Sequence, residues 1–191
     1  AGGLPEGGAK ARVSPRLRQR FQEVQNSIRA CVGISEAISK AMVEFGYHPS
    51  TVHTIHNPVD VERFQAAARN RVRTREIWGF EADDLVFGMF GRITPWKGQL
   101  EFLQAVAGVI GSLGKMKILI VGDLSDSADR SYMDRVRDLA RSPSLVNRVV
   151  MTGYQRKVED LFAAADVVVH ASLSPEPFGR VVIEGMASGK A

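Results

Sequence analysis

The chain has 191 residues, room for one α/β domain and part of another, and 45% of them are apolar, an ordinary share for a soluble globular protein. Its net charge is +4, with Lys10, Arg12, Arg16, Arg18 and Arg20 crowded near the start. That pattern reads as a solvated face and a loose tail rather than a nucleic-acid surface, and it leaves a peripheral contact with an anionic membrane face open. A single cysteine, Cys31, excludes an internal disulfide framework; no apolar run approaches a membrane span and no signal-peptide pattern opens the chain, so a cytoplasmic setting is expected.

Ala1 to Pro15 is rich in Gly, Ala and Pro without periodicity and reads as a flexible tail. Arg16 to Arg29 has the helical spacing of Leu17, Phe21, Val24 and Ile28. A small buried strand follows at Ala30–Ile34, then a helix capped by Ser35, running to Phe45 and stopped by Gly46. Val52–His56 is a short strand closed by Asn57-Pro58, and Asp60 to Ala68 is a turn continued as a surface helix. After a polar, Arg-rich helix over Asn70–Trp78, the chain alternates strand and helix. The expected strands are Leu85–Phe90, Lys117–Val121, Arg148–Met151 and Val167–His170. The expected helices are Gly98–Ile110, one ending near Ala140 after the polar loop Gly122–Ser131, Val158–Ala165, and a last one reaching Ala191. That last helix is expected to pack by one side through Val181, Val182, Ile183, Met186 and Ala187. Such alternation predicts a doubly wound, Rossmann-like parallel sheet, and the chain reads as cut at both ends.

Ligands of open parallel sheets sit beyond the carboxyl ends of the strands, so the loops there are the candidate chemistry. Gly91-Arg-Ile-Thr-Pro-Trp-Lys-Gly98 places Arg92 and Lys97 between a strand and a helix, suited to an anion. Ser174-Pro-Glu-Pro-Phe-Gly179 holds Glu176 between two prolines that fix φ on either side, and Glu184 follows within the next helix. Carboxylates in such loops suit polyol hydroxyls, and cations with a helix start suit phosphate.

Sharper alternatives fail on spacing. Gly88-Met-Phe-Gly91 is not a dinucleotide fingerprint, and Gly185-Met-Ala-Ser-Gly189-Lys190-Ala191 is one residue short of a phosphate-binding loop and ends in Ala. Asp166, His170 and Ser172 alternate along a strand without a nucleophile elbow, so His170 reads as a strand-end packing residue. His48, His53 and His56 lack metal-ligand partners at useful spacing, and no metal site is expected.

Glu176-Pro-Phe-Gly-Arg-Val-Val-Ile-Glu184 resembles the Glu-x7-Glu motif of retaining glycosyltransferases of the GT-B fold, family 4 (group 1) type. Gly91-Arg92 with Lys97-Gly98 is similar to that family's diphosphate loop, and Val121-Gly-Asp123 to its second-strand turn. Asn57-Pro-Val-Asp60 with Arg63-Phe64 resembles its interdomain entry, and Val32-Gly-Ile-Ser-Glu36 the last strand-to-helix step of its acceptor half. The resemblance covers Ala30 onward; Ala1–Arg29 matches nothing in it.

The resemblance implies a division at residue 58. Residues 1–58 would be a tail, the end of the acceptor-side domain and an interdomain linker; residues 59–191 would be a nucleotide-sugar donor domain, truncated at its C-terminus. It implies that Arg92, Lys97 and Glu176 are catalytic, the first two neutralising a departing diphosphate and Glu176 holding donor-sugar hydroxyls. Phe178 and Gly179 would bring backbone amides near sugar and phosphate, Gly91 and Arg180 would also bind the donor, Glu184 would meet the ribose hydroxyls, and Arg156, Lys157 and Val158 would border the nucleobase. The implied activity is retaining, metal-independent hexosyl transfer from a nucleotide-diphosphate sugar, UDP- or GDP-linked, with no cofactor. The implied acceptor is a carbohydrate or a lipid-linked molecule, and its site would lie in the missing N-terminal half. On this reading the chain supplies donor binding and is inactive alone. A nucleotide-sugar-binding module without catalysis and a GT-B-fold nucleotide-sugar epimerase are the competing readings.

Overall fold

The computed structural model describes residues 15–25, 27–124 and 130–191. These divide into two units, one made of the residues up to Pro58 together with Ser174–Gly179, the other of Val59–Leu173 with Arg180–Ala191. The tail read over the first residues, up to position 14, and residues 125–129 of the polar loop lie outside the described residues.

In the first unit the elements are α1 (Pro15–Gln25), β1 (Cys31–Gly33), α2 (Glu36–Phe45) and β2 (Val52–Thr54). β1 and β2 pair in parallel, with Cys31 opposite Val52. α2 lies against them through buried Ser39, whose Oγ is 2.7 Å from Thr54 Oγ1. Ser35 caps α2 and Gly46, at φ 124°, ends it, as the sequence predicts. Phe21 of α1 stands edge-on to Phe45 at 5.1 Å and Tyr47 at 4.6 Å. α1 stops short of the expected Arg29: turn bonds from the amides of Ser27 and Ile28 replace the helical pattern, and Val24 is exposed instead of packed. Val32 is exposed too, so β1 is not the fully buried strand expected.

The second unit begins with α3 (Val61–Ala66) and α4 (Arg71–Trp78), joined by a 3-10 turn. There follow β3 (Leu85–Phe90), α5 (Gln99–Ala107), β4 (Met116–Val121), α6 (Arg130–Ala140), β5 (Val149–Met151), α7 (Val158–Ala164), β6 (Val167–Val169) and α8 (Arg180–Ala187). All four strands run parallel, in the order β5-β4-β3-β6. Ile118 and Leu119 of β4 are fully buried, on opposite sides of the sheet, because helices cover both faces. On one face α5 and α6 supply Leu100, Leu103, Tyr132, Met133 and Val136. On the other, Phe162 of α7 stacks on Phe90 at 3.7 Å and meets Phe64 of α3 edge-on at 5.4 Å. α3 therefore carries a buried anchor, Phe64, rather than lying on the surface as expected.

A partly buried ionic network ties α4 to the start of β6. Arg75 donates to the carbonyls of Glu81, Ala82, Asp84 and Ala164 and to Asp166 Oδ2 at 2.7 Å. Arg71 engages Asp166 Oδ1 and the carbonyls of Ala163 and Ala165, capping the end of α7. Asp166 also accepts from the Val86 amide at 2.8 Å. Burial works to raise its carboxyl pKa, but that amide and the two guanidiniums hold it below the usual range. On Arg75, burial dominates and lowers the guanidinium pKa despite the pairing.

Two expected helices are shorter than read. α5 ends at Ala107, beside Gly108, and a separate 3-10 turn holds Ile110. α8 ends at Ala187; Gly189 then takes φ 66° and Ala191 O accepts from the Val168 amide at 2.7 Å, so the last residues lie beside β6 instead of extending the helix.

Candidate functional site

The crossover from β5 to β6 carries the chain from one edge of the sheet to the other, on the opposite face from α5 and α6. The direction of winding thus reverses between β3 and β6, and the carboxyl end of that pair is where such sheets bind ligands. The loops following those two strands are laced together there. The Leu173 amide donates to Trp96 O at 2.8 Å. Gly98, at φ 75°, backs onto Ala171 so closely that an added Cβ would lie 2.2 Å from its carbonyl oxygen. One strand further, Gly122 takes φ 140° against the Gly91 carbonyl, where a Cβ would fall 1.9 Å from the oxygen. These approaches exclude side chains, so glycine is required at both positions.

On this frame the loop after β3 presents its two cations. Ile93, 1% exposed, anchors it, and its amide donates to Asp123 O at 3.0 Å. Arg92 is exposed; its carbonyl accepts from Gln99 Nε2 at 2.9 Å, which fixes the backbone that carries it. A 3-10 turn over Pro95–Lys97 brings Lys97 Nζ to 4.3 Å from the centre of the Trp96 ring. Thr94 Oγ1 and Gln99 Oε1 are buried without a hydrogen-bond partner among the described residues.

Glu184, like Asp84, is a buried acid of this unit. It sits on the inner side of α8, its side chain 12% exposed, and its Oε1 accepts from Arg180 at 2.9 Å. Burial raises its carboxyl pKa, an effect that Arg180 and Arg63 oppose. Oε2 accepts no hydrogen bond among the described residues. Gly185 lets α8 approach this closely, because a Cβ there would already press on Val168 at 3.2 Å. The expectation that Val182 and Met186 pack inward is overturned: both are exposed, and the inward positions hold Glu184 and Gly185.

Gly91, Arg92, Lys97, Arg156, Lys157, Val158, Arg180 and Glu184 all belong to the second unit. Among these, Lys97 folds back toward Gly91, and Arg180 is bonded to Glu184 rather than presented alone. Arg156 and Lys157 are exposed before α7, where Val158 packs into the aromatic cluster. The next residue, Glu159, pairs with Arg63 at 2.7 Å. Glu176, Phe178 and Gly179 belong to the first unit. There Glu176 is half-buried, Pro177 O accepts from Ser35 Oγ at 2.6 Å, and Phe178 lies 5.8 Å from the His56 ring. His170 is exposed, its Nε2 3.3 Å from Ser172 Oγ, and so does not pack as expected; Asp166 is engaged in the ionic network. Trp96, Gln99, Ser35 and His56 were not singled out as site-forming by the sequence. Only the Arg180–Glu184 pair carried a readable signal, its four-residue helical spacing.

The sequence model of Glycosyl transferases group 1 matches residues 70–191. The chain belongs to this family. It is 31% identical over 182 residues to D-inositol 3-phosphate glycosyltransferase 2 of Catenulispora acidiphila, covering 91% of this chain and 41% of that protein. It is 34% identical over 140 residues to a GDP-mannose-dependent alpha-mannosyltransferase of Mycobacterium tuberculosis, covering 72% and 32%. The chain thus spans less than half the length of these group 1 relatives. Among solved structures, Anabaena HepE in complex with UDP and glucose superimposes with a TM-score of 0.77 at 28% identity, covering 93% of this chain and 48% of that one. A glycosyltransferase of Rickettsia africae shares the fold with a TM-score of 0.80 at 22% identity, covering 93% and 47%. The fold is accordingly the Rossmann-like α/β arrangement of GT-B glycosyltransferases.

Proposed function

We propose that this group 1 chain supplies donor binding to a retaining, metal-independent glycosyltransferase that moves a hexosyl unit from a UDP- or GDP-linked sugar to a carbohydrate or lipid-linked acceptor. Glu184 is the observation that carries the reading: a buried carboxylate with one oxygen held by Arg180 and the other without a partner among the described residues. Such a group suits the hydroxyls of a ribose. Arg92 and Lys97 take the diphosphate, each charge-assisted bond contributing about 1.5–3 kcal/mol. Arg156, Lys157 and Val158 border the base. Glu176 accepts from donor-sugar hydroxyls, Phe178 and Gly179 offer backbone amides to sugar and phosphate, and Arg180 opposes the effect of burial on the Glu184 carboxyl.

In the reaction the bond from the sugar's anomeric carbon to the diphosphate oxygen breaks with its electron pair staying on the diphosphate, a bond to the acceptor oxygen forms on the same face, and the acceptor hydroxyl's proton passes to the departing diphosphate. The cations stabilise the charge that gathers on the departing diphosphate, so no metal is needed. The acceptor site is assigned to a part of the protein beyond this chain, and the proposed setting is cytoplasmic. The relatives whose names include GDP-mannose and the HepE complex with UDP support a nucleotide-sugar donor. The test is transfer by the complete parent protein, with the product anomer read by NMR. The same anomeric configuration in donor and product is expected; inversion, or C2 epimerisation of the free nucleotide sugar, overturns the proposal.

A further inference from the structure

The segment carrying Glu176 has little backbone means of holding its own shape. Pro175 and Pro177 have no amide hydrogen, so the acid is flanked by residues that can only accept. Its anchor is the start of α2. Ser35 sits in extended conformation, φ −154° and ψ 162°, where its Oγ accepts from the Ile38 amide at 3.3 Å. A capping hydroxyl of this kind usually leaves its own proton to water. Here the proton is directed to Pro177 O at 2.6 Å, a short bond to the residue next to Glu176. The helix amide polarises the hydroxyl that donates onward, so the two bonds strengthen each other.

The position of Ser35 is itself tightly set. Gly33, two residues earlier, packs so closely on the first turn of α2 that a Cβ would lie 2.3 Å from Ser39 Oγ. Ile55 then donates its amide to Gly33 O at 3.0 Å, tying the end of β1 to the chain leaving β2. From that same segment His56 packs its ring 5.8 Å from Phe178, on the other side of Pro177.

We propose that Ser35 is a positioning residue for Glu176, its hydroxyl holding the Pro177 carbonyl and so aiming the carboxylate. This rests on the proposed role of Glu176 in contacting the donor sugar. Capping and anchoring are separable by substitution. Ser35→Asp keeps an N-cap acceptor but, when ionised, has no proton to donate and repels the carbonyl. Ser35→Gly removes the hydroxyl at small cost to the cap, and Ser35→Thr retains both functions.

Two readouts on the chain test it: amide exchange at Phe178 and Gly179, and affinity for UDP against UDP-glucose and for GDP against GDP-mannose. In Ser35→Asp and Ser35→Gly, exchange at both amides is expected to rise about tenfold while α2 amides stay protected. The nucleotide sugar loses affinity relative to the bare nucleotide by a similar factor, and Ser35→Thr restores both. Wild-type exchange in the Asp and Gly variants overturns the inference, as does an unaltered affinity ratio when the wild type binds. A folded wild-type chain that binds none of these nucleotides overturns the proposed function, and this inference with it.

Discussion

Asp166 shows how much one carboxylate organises in this molecule. It receives Arg71, Arg75 and the Val86 amide, and Arg75, its side chain 5% exposed, makes an ion pair with no other carboxylate among the described residues. Asp166→Asn is expected to cost about 3 kcal/mol, because it leaves a buried guanidinium without its counter-charge. The folded carboxyl pKa lies below its ordinary value of 3.8, so the unfolded chain binds more protons as pH falls. The stability Asp166 contributes is therefore present above that value and lost below it. Melting temperature followed from neutral pH toward about 3 should fall less steeply in Asp166→Asn than in the wild type. Glu184 acts with the opposite sign: its raised pKa favours the folded state when it is protonated, so ionisation works against stability as pH rises past the ordinary carboxylate range. Neither residue's placement was legible in the sequence. Charged residues in the polar α4 read as solvent-facing, and tertiary packing turns Arg75 inward; α8 reads with its apolar residues inward, and packing turns Glu184 there instead.

At the scale of elements, α8 is placed by what it lacks. Gly185 removes the side chain that would hold the helix away from Val168, and the neighbouring Glu184 is drawn inward as a result. Gly185→Leu should push α8 off β6 at a cost of about 1–3 kcal/mol and, by displacing Glu184, weaken nucleotide binding more than the loss of stability alone explains. Denaturant unfolding and nucleotide titration of the same sample check this; a stable variant with wild-type affinity would contradict it. The strands after residue 84 are readable because β3 and, past Lys117, β4 are near-continuous apolar runs, and parallel strands buried on both faces have that signature. The sequence of α8 predicts a longer helix with its apolar residues turned inward. In a helix of eight residues the apolar set covers more than one face, and the glycine that decides which face packs scores as neutral.

For the molecule as a whole, alternation of strand and helix predicted a parallel sheet, while the order β5-β4-β3-β6 came only from the structure. The loops chosen as chemistry-bearing do follow β3 and β6, on either side of the reversal in winding. The close approach of Gly98 to Ala171 was hidden because it joins loops far apart in the chain. Equally hidden was the grouping of Ser174–Gly179 with the first unit, since its anchor, Ser35, looked in sequence like a helix cap and nothing more. On the proposed function, Lys97 and Glu184 belong to one nucleotide site in the second unit. This is tested most directly by the melting temperature of the chain with UDP and with GDP, in the wild type and in Lys97→Ala and Glu184→Ala. An upward shift is expected in the wild type with at least one nucleotide, and none in either folded variant. A folded wild-type chain that responds to neither nucleotide, or variants that respond as the wild type does, would contradict it.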